Sequence, residues 1–332
     1  MSLNPLPGRL SLLSVAAAVL AATTIALSAQ IAPLHLVSTA WSPFTNDAGK
    51  PRFATDLVDT ALGRIGITAR TTIVEPAAFT PALLSAAYDG SAAAWKDPER
   101  ERLLVFSQPY LENRLVLVGR KGADVSATSW AALKGKKVAL VGGYAYGDIE
   151  GAGPTFVKTK GEEDSLTQLL RGQTDYALMD DLVVQYLLDN YAKEAQTRLQ
   201  LGSKPLITRP LYLAIRQSRP DAESIVSRFN EQLRGMIKDR TYHKLLHVDW
   251  IVADVDGDGI PEYVPASDQA GKTAPEHAYS LSTTAPSTAG PRFFLGGTIY
   301  TDWASVPDNY KIMGSQTPDP RRSTASVFKF VW

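Results

Sequence analysis

The segment KDPERERLLVFSQPY, Lys96 to Tyr110, decides how the rest of the chain reads. It opens with Pro98 among alternating acids and bases, as a tight turn or a helix's first turn does. It then becomes an apolar run, Leu103 to Phe106, and stops at Ser-Gln-Pro-Tyr110. An arginine placed just before a buried strand, with a Pro-Tyr turn beyond it, suits an anion held at the mouth of a cleft. Taken alone, the plainer reading is a surface turn with an Arg–Glu pair, which contributes little. The neighbouring segments decide between the two.

Upstream, His35 to Ala40 reads as a short strand and Phe53 to Ile65 as a helix, with Leu57, Val58, Leu62 and Ile65 at helical spacing and Gly66 as its stop. Thr71 to Val74 is strand-like, and Phe79 to Tyr88 is a second expected helix. Downstream, Leu115 to Val118 is a buried strand. A second unit begins near Gly119, with a short helix at Ser129 to Leu133, a strand at Lys137 to Val141 and a Gly-rich turn, GGYAYG, from Gly142 to Gly147. A helix from Glu162 to Arg171, a strand from Asp175 to Met179 and a helix from Leu182 to Tyr191 complete it. The pattern then returns to the first unit through a strand at Pro210 to Ile215, an amphipathic helix at Asp221 to Asp239 and a closing helix at Tyr242 to Trp250. Strands alternating with helices imply an α/β fold. Two such lobes joined by two crossovers enclose a cleft, where small ligands bind.

Composition sets the limits. The chain of 332 residues is long enough for about two domains, with 45% hydrophobic and 20% charged residues. Its formal net charge is zero, which argues against a nucleic-acid partner. There is no cysteine, which excludes a disulfide scaffold, a thiolate metal site and a cysteine nucleophile. His243 and His247 stand four apart, a spacing that zinc can use, but no other ligand accompanies them and a helix face is the simpler reading. Residues 1–29 read as a signal peptide: Arg9, an Ala-rich apolar run from Leu10 to Leu27, then small residues at Ala26-Leu-Ser-Ala29. A membrane anchor is the alternative.

Beyond Trp250 the chain continues for 82 residues. They open on Asp254, Asp256, Asp258, Gly259, Ile260 and Glu262, the acid spacing of a calcium loop. Three carboxylates, the Ile260 carbonyl and Glu262 would surround one hard cation. Pro265 stands where an EF-hand has its bidentate Glu, so the loop looks more like those of dockerins and extracellular propeller repeats. Residues 267–292 read as a linker or long loop. The aromatics beyond it, ending in an alternating strand from Val327 to Trp332, indicate a folded tail docked on the first lobe or on a partner.

With these pieces placed, the chain resembles the periplasmic solute-binding proteins of ABC importers, in the amino-acid-binding family (family 3) with the type II lobe arrangement. The resemblance runs from about residue 34 to 250. It is carried by Trp41-Ser-Pro-Phe44, Phe53-Ala-Thr-Asp-Leu57, Pro98-Glu-Arg100 with Phe106-Ser-Gln-Pro-Tyr110, Leu133-Lys-Gly-Lys-Lys-Val138, and Gly172 with Asp175 to Asp180, in the family's order. It implies a first lobe of residues 30–118 and 208–250, a second of 119–207 and an extension of 251–332. It also implies that Arg100 grips a ligand carboxylate, Trp41 stacks on the ligand, Asp180 holds its ammonium, and the turn at Gly143 and Tyr144 offers backbone amides. Two departures stand out: Asp97 occupies the position of the family's threonine, and Trp95 and Lys96 replace small residues of the pocket wall. An ionised Asp97 would repel a carboxylate or pair with Arg100.

The function so implied is a monomeric, exported receptor in the periplasm. It would deliver a small polar solute to an inner-membrane ABC permease, with calcium as a structural ion. The alternatives are a periplasmic enzyme on the same scaffold, of the cyclohexadienyl dehydratase type, with Asp97 or Asp180 as acid or base, and a sensor or interaction module with a degenerate cleft.

Overall fold

The computed structural model describes residues 1, 33–149, 151–190, 197–275, 278–281 and 290–312. The expected signal peptide and the expected strand at 327–332 lie outside the described residues. Among the described residues no helix is long and apolar enough to cross a membrane.

The first lobe is built on β1 (Leu34–Thr39), β2 (Ala69–Val74) and β3 (Gly90–Ala94), with β1 parallel to both neighbours. Helix α1 (Phe53–Arg64) covers the sheet with Phe53, Ala54, Leu57, Val58, Ala61 and Leu62, the face that its helical spacing dictates. Helix α2 (Pro76–Leu84) begins and ends earlier than its apolar pattern suggests. Pro76 takes the first helical position, where a missing N–H costs nothing, and Asp89 then turns the chain into β3 through its amide bond to the His35 carbonyl. The opening segment folds as a single helical turn, α3 (Pro98–Glu101), followed by β4 (Leu104–Phe106).

Two ten-residue strands, β5 (Leu111–Arg120) and β10 (Ile207–Arg216), run between the lobes and pair antiparallel from Ile207↔Leu115 to Leu211↔Leu111. The second lobe adds β6 (Lys137–Val141), β7 (Thr155–Thr159), β8 (Tyr176–Asp180) and a short β9 (Leu199–Leu201). Strand order through the whole sheet is β2-β1-β3-β10-β5-β8-β6-β7. Helices α4 (Glu162–Leu170) and α5 (Asp181–Asn190) belong to this lobe. Ser129–Leu133, expected as a helix, is a 3₁₀ turn at Trp130–Leu133. Strand β7 carries only partly buried apolar residues, which gave no periodic signal.

Helix α6 (Ala222–Lys238) buries Ile225, Phe229, Leu233 and Ile237, and α7 (Thr241–Leu246) follows. The closing helix is shorter than expected. His247 adopts φ 55°, a left-handed stop, and Trp250 to Ala253 then form β11, paired with β12 (Glu262–Pro265). The extension is a five-stranded sheet, β13-β11-β12-β14-β15, with β13 at Tyr279–Ser280, β14 at Arg292–Leu295 and β15 at Thr298–Tyr300. Its core is Phe293, Leu295 and Val306, flanked by Trp250 and Trp303. It docks on the first lobe: His243 Nε2 lies 2.9 Å from the Val264 carbonyl, so the ring donates there. It also grips a crossover, because the Tyr279 hydroxyl donates to the Glu112 carbonyl and accepts from the Glu112 amide, both at 2.9 Å.

Candidate functional site: the interlobe cleft

The cleft closes on a narrow cavity lined by Ser38 and Thr39 of β1, Trp41, Phe79, Ala93, Trp95, Arg100, Leu211 and the second-lobe residues Tyr144 and Ala145. Its free space is about 30 Å³, enough for a water or two. A solute therefore enters only if the lobes part or the aromatic walls move. A second, larger groove of about 400 Å³ lies between α6 and the extension. Most of its charges are already paired, Arg240 with Asp268 and Asp239 with Arg64, with Lys238 beside them.

Strand alternation puts Ala93 and Trp95 on one face. Trp95 meets Trp41 edge-on, with ring centroids 5.7 Å apart, and meets Tyr144 at 5.8 Å. Trp41 and Tyr144 are also 5.8 Å apart, and Tyr146 backs Trp95 at 5.8 Å. The Trp95 indole N–H donates to Asn113 Oδ1 on the crossover at 2.7 Å, which fixes the ring. Edge-to-face contacts of this kind favour a defined arrangement over a loose apolar cluster.

Arg100 is 2% exposed. Its Nη1 donates to the Trp95 carbonyl at 2.9 Å, its Nη2 to Thr80 Oγ1 at 2.7 Å, and its Nε lies 3.1 Å from Asp97 Oδ2. Asp97 does a second job: its Oδ1 accepts the amides of Glu99 and Arg100, both at 2.9 Å, and so caps α3. Burial lowers the Arg100 pKa, Asp97 and Glu99 oppose that, and the like charge of Arg209 adds to it.

Thr80 links the lobes. Its hydroxyl accepts a hydrogen bond from Arg100 Nη2 and donates in turn to the Gly143 carbonyl of the second lobe at 3.1 Å. Gly143 has φ +91°, and a Cβ there would lie 2.4 Å from the Pro76 carbonyl oxygen, so only glycine allows the turn to rest on α2. Across the cleft, the Thr39 and Tyr144 hydroxyls are 3.4 Å apart. Glu162 stands near Tyr144 and Tyr146, and burial pushes its carboxyl up to about 7.

Of the residues expected at the cleft, Trp41, Trp95, Arg100 and Tyr144 line the cavity, whereas Asp97, Asp180 and Gly143 do not. Asp97 is turned to the guanidinium and the helix end. Gly143 packs on α2 and offers its carbonyl, not its amide. Asp180 is buried under the crossover: Oδ1 accepts the Leu182 amide at 2.9 Å and Oδ2 the Arg114 amide at 3.1 Å. Burial, then the charge of Asp181, holds it well above the usual carboxylate range. Thr80, Tyr146 and Asn113 were missed, because each is an ordinary helix, loop or strand residue until the fold brings it to the cleft.

In the extension, oxygens of Asp254, Asp256 and Glu262 lie within 4.8 Å of one another. Asp254 folds the loop by accepting the amides of Gly257 at 2.6 Å and Gly259 at 2.8 Å. A residue that the acid spacing did not announce stands among them. The Arg292 guanidinium donates to Asp258 at 2.8 Å, to the Ile260 carbonyl at 2.8 Å and to Glu262.

Residues 36–251 match the family described as bacterial extracellular solute-binding proteins, family 3. The chain belongs to that family. The ABC transporter arginine-binding protein 1 of Escherichia coli K12 is 30% identical over 156 residues, 45% of this chain and 60% of that protein. The chain thus spans about 60% of the length of the curated relatives it matches. Among solved structures, a mutant arginine-binding protein of Thermotoga maritima is 25% identical, with a TM-score of 0.53, covering 65% of this chain and 93% of that one. A histidine kinase sensor domain described as similar to periplasmic binding proteins aligns with a TM-score of 0.57 at 22% identity, over 66% and 96% of the two chains. This last likeness concerns the fold alone. The family match thus ends within β11, and the rest of the chain lies beyond the matched residues.

Proposed function

We propose that this family 3 protein is an exported receptor that captures a small solute bearing a carboxylate in the interlobe cleft, in the periplasm, for an ABC-type permease. The observation that carries this reading is the relay from Arg100 through Thr80 to the Gly143 carbonyl. An anion that engages Arg100 engages the group that ties the lobes together, so ligand binding and closure share one set of contacts. The relatives described as arginine-binding proteins of ABC transporters support uptake as the purpose. General acid–base chemistry finds little support: the residues lining the cavity include neither a carboxylate nor an imidazole. A sensor role gains one supporting observation, the Tyr279 grip on Glu112, through which a partner on the extension would feel the crossover.

Calcium in the extension is part of the same proposal. Asp254, Asp256, Asp258, Glu262 and the Ile260 carbonyl would hold it, and Arg292 would have to leave. The test of the receptor reading is calorimetric titration of the full chain with amino acids, organic acids and amines, repeated on Arg100→Ala. Saturable binding that the variant loses is the expected result. A panel without a single binder, or an Arg100→Ala variant that binds as wild type does, sinks the reading.

A further inference from the structure

The charges at the cleft do not balance in the way an amino-acid ligand needs. Arg209 stands two residues before the cavity-lining Leu211 on β10, and so on the same face of the strand. The second-lobe turn closes over it, since a Cβ on Gly147 would lie 2.6 Å from Arg209 Nη2. Its Nε is buried with no hydrogen-bond partner among the described residues. Asp97 is the carboxylate that acts on both Arg100 and Arg209, and the two guanidinium groups repel each other. Glu99 also acts on Arg100, whereas Arg209 has only Asp97, which is already engaged with Arg100 at 3.1 Å, so Arg209 is the charge left for a ligand anion. Arg100 has five N–H groups. Two donate to Trp95 and Thr80, and Nε lies 3.1 Å from Asp97 without hydrogen-bonding to it, so N–H groups remain for that anion.

A primary ammonium has no such provision. Asp180 lies outside the cavity with both oxygens on backbone amides. Glu162 is not among the residues lining the cavity, and burial raises its carboxyl to about 7. Ser38 and Thr39 supply hydroxyls but no charge. Burying an ammonium without a countercharge, beside guanidinium groups, is costly on both counts. The remaining walls are four rings, Trp41, Trp95, Tyr144 and Phe79, with the aliphatic Ala93, Ala145 and Leu211.

We infer that the cleft selects carboxylates with an aromatic or otherwise apolar body and no primary ammonium, held by Arg100 with Arg209 as a second, positioning cation. This rests on the receptor reading above and names its substrate class. It separates the chain from what its relatives are described as binding, since arginine carries two cationic groups.

The experiment compares two ligands that differ in one group. Calorimetric titration of the full chain with 3-phenylpropanoate and with L-phenylalanine, beside L-arginine and glycine betaine, reads the preference directly. The expected result is 3-phenylpropanoate at least tenfold tighter than L-phenylalanine, with Arg209→Gln weakening it several-fold and Glu162→Gln leaving it unchanged. Equal or tighter binding of L-phenylalanine, L-arginine or any other amino acid overturns the inference while the receptor reading stands. If Glu162→Gln then abolishes that binding, Glu162 is the ammonium acceptor. Preferential binding of glycine betaine overturns it too, in favour of a cation held by the rings. If no ligand of the wider amino-acid and organic-acid panel binds, both readings fall together.

Discussion

Replacing Asp97 by Asn separates its two jobs. Asn caps a helix about as well as Asp does, so the two amide bonds to Asp97 Oδ1 survive, while the charge facing Arg100 Nε at 3.1 Å is lost. The direct Coulomb term at that distance is about 5 kcal/mol for an effective dielectric constant of about 20. Removing one partner of a buried pair costs roughly 3–5 kcal/mol. Here the Trp95 carbonyl and the Thr80 hydroxyl still hold the guanidinium, and Asp97 keeps 23% of its side chain exposed, so the lower end, about 3 kcal/mol, applies to the ligand-free protein. For a chain of this size that is a fall in Tm of about 4 °C. A bound carboxylate restores the missing negative charge. The ligand-free loss should therefore shrink at saturation, and 3-phenylpropanoate should bind Asp97→Asn at least tenfold tighter than wild type. Calorimetry and thermal melts with and without ligand measure both quantities. A Tm loss of equal size in the two conditions, with an unchanged Kd, would show that Asp97 and the ligand do not compete for Arg100.

Three further outcomes follow from other parts of the molecule. Glu112 and Glu162 are each pushed by burial from the ordinary 4.5 up to about 7; their folded pKa values exceed the unfolded ones, so their contribution is full below about 4.5 and lost as pH rises through 7. His243, held neutral by burial down to about 4, works the other way below 6.5, so the window to examine is pH 6.5–8, where Tm should fall with rising pH and Glu112→Gln should flatten the slope; a parallel slope in the variant would refute it. Arg292→Ala should lower Tm in EDTA, because Asp256, Asp258 and Glu262 lose their cation, and should increase the Tm gain on adding calcium; a calcium response absent from both forms removes the loop from the list of metal sites. Tyr279→Phe removes both hydrogen bonds to Glu112, at a cost of about 1–3 kcal/mol, and should also shift ligand affinity through the crossover, which titration beside the melting curve would detect.

The lobes and the crossovers were legible because burial writes itself into periodicity. The α6 helix repeats its apolar residues every three to four positions, and β5 and β10 each carry an apolar run, Leu115 to Val118 and Leu211 to Ile215, longer strands being built around them. Where that signal was thin, the reading failed in an understandable direction. The closing helix was carried on to Trp250, because Tyr242, Leu246 and Trp250 share a helical period, yet Trp250 and Phe293 pack together in the extension. A residue far along the chain decided what the local pattern left open.

The site was legible only where chemistry and position coincide in a single residue. Arg100 and Trp41 could be placed from their motifs. Asp180 fitted its motif equally well, but a carboxylate two residues before an unsatisfied amide is also a helix cap, and here the amides of Leu182 and Arg114 consume it. Asp97 told the truth about the ligand in the opposite way. An acid beside the anion-gripping arginine is a poor fit for a receptor whose cleft balances its charges against an amino acid. It becomes a good fit once Arg209 is counted, because Asp97 is already engaged with Arg100 and the second guanidinium has no carboxylate to itself. Such a cleft is closed by an anion and by nothing that brings its own cation along.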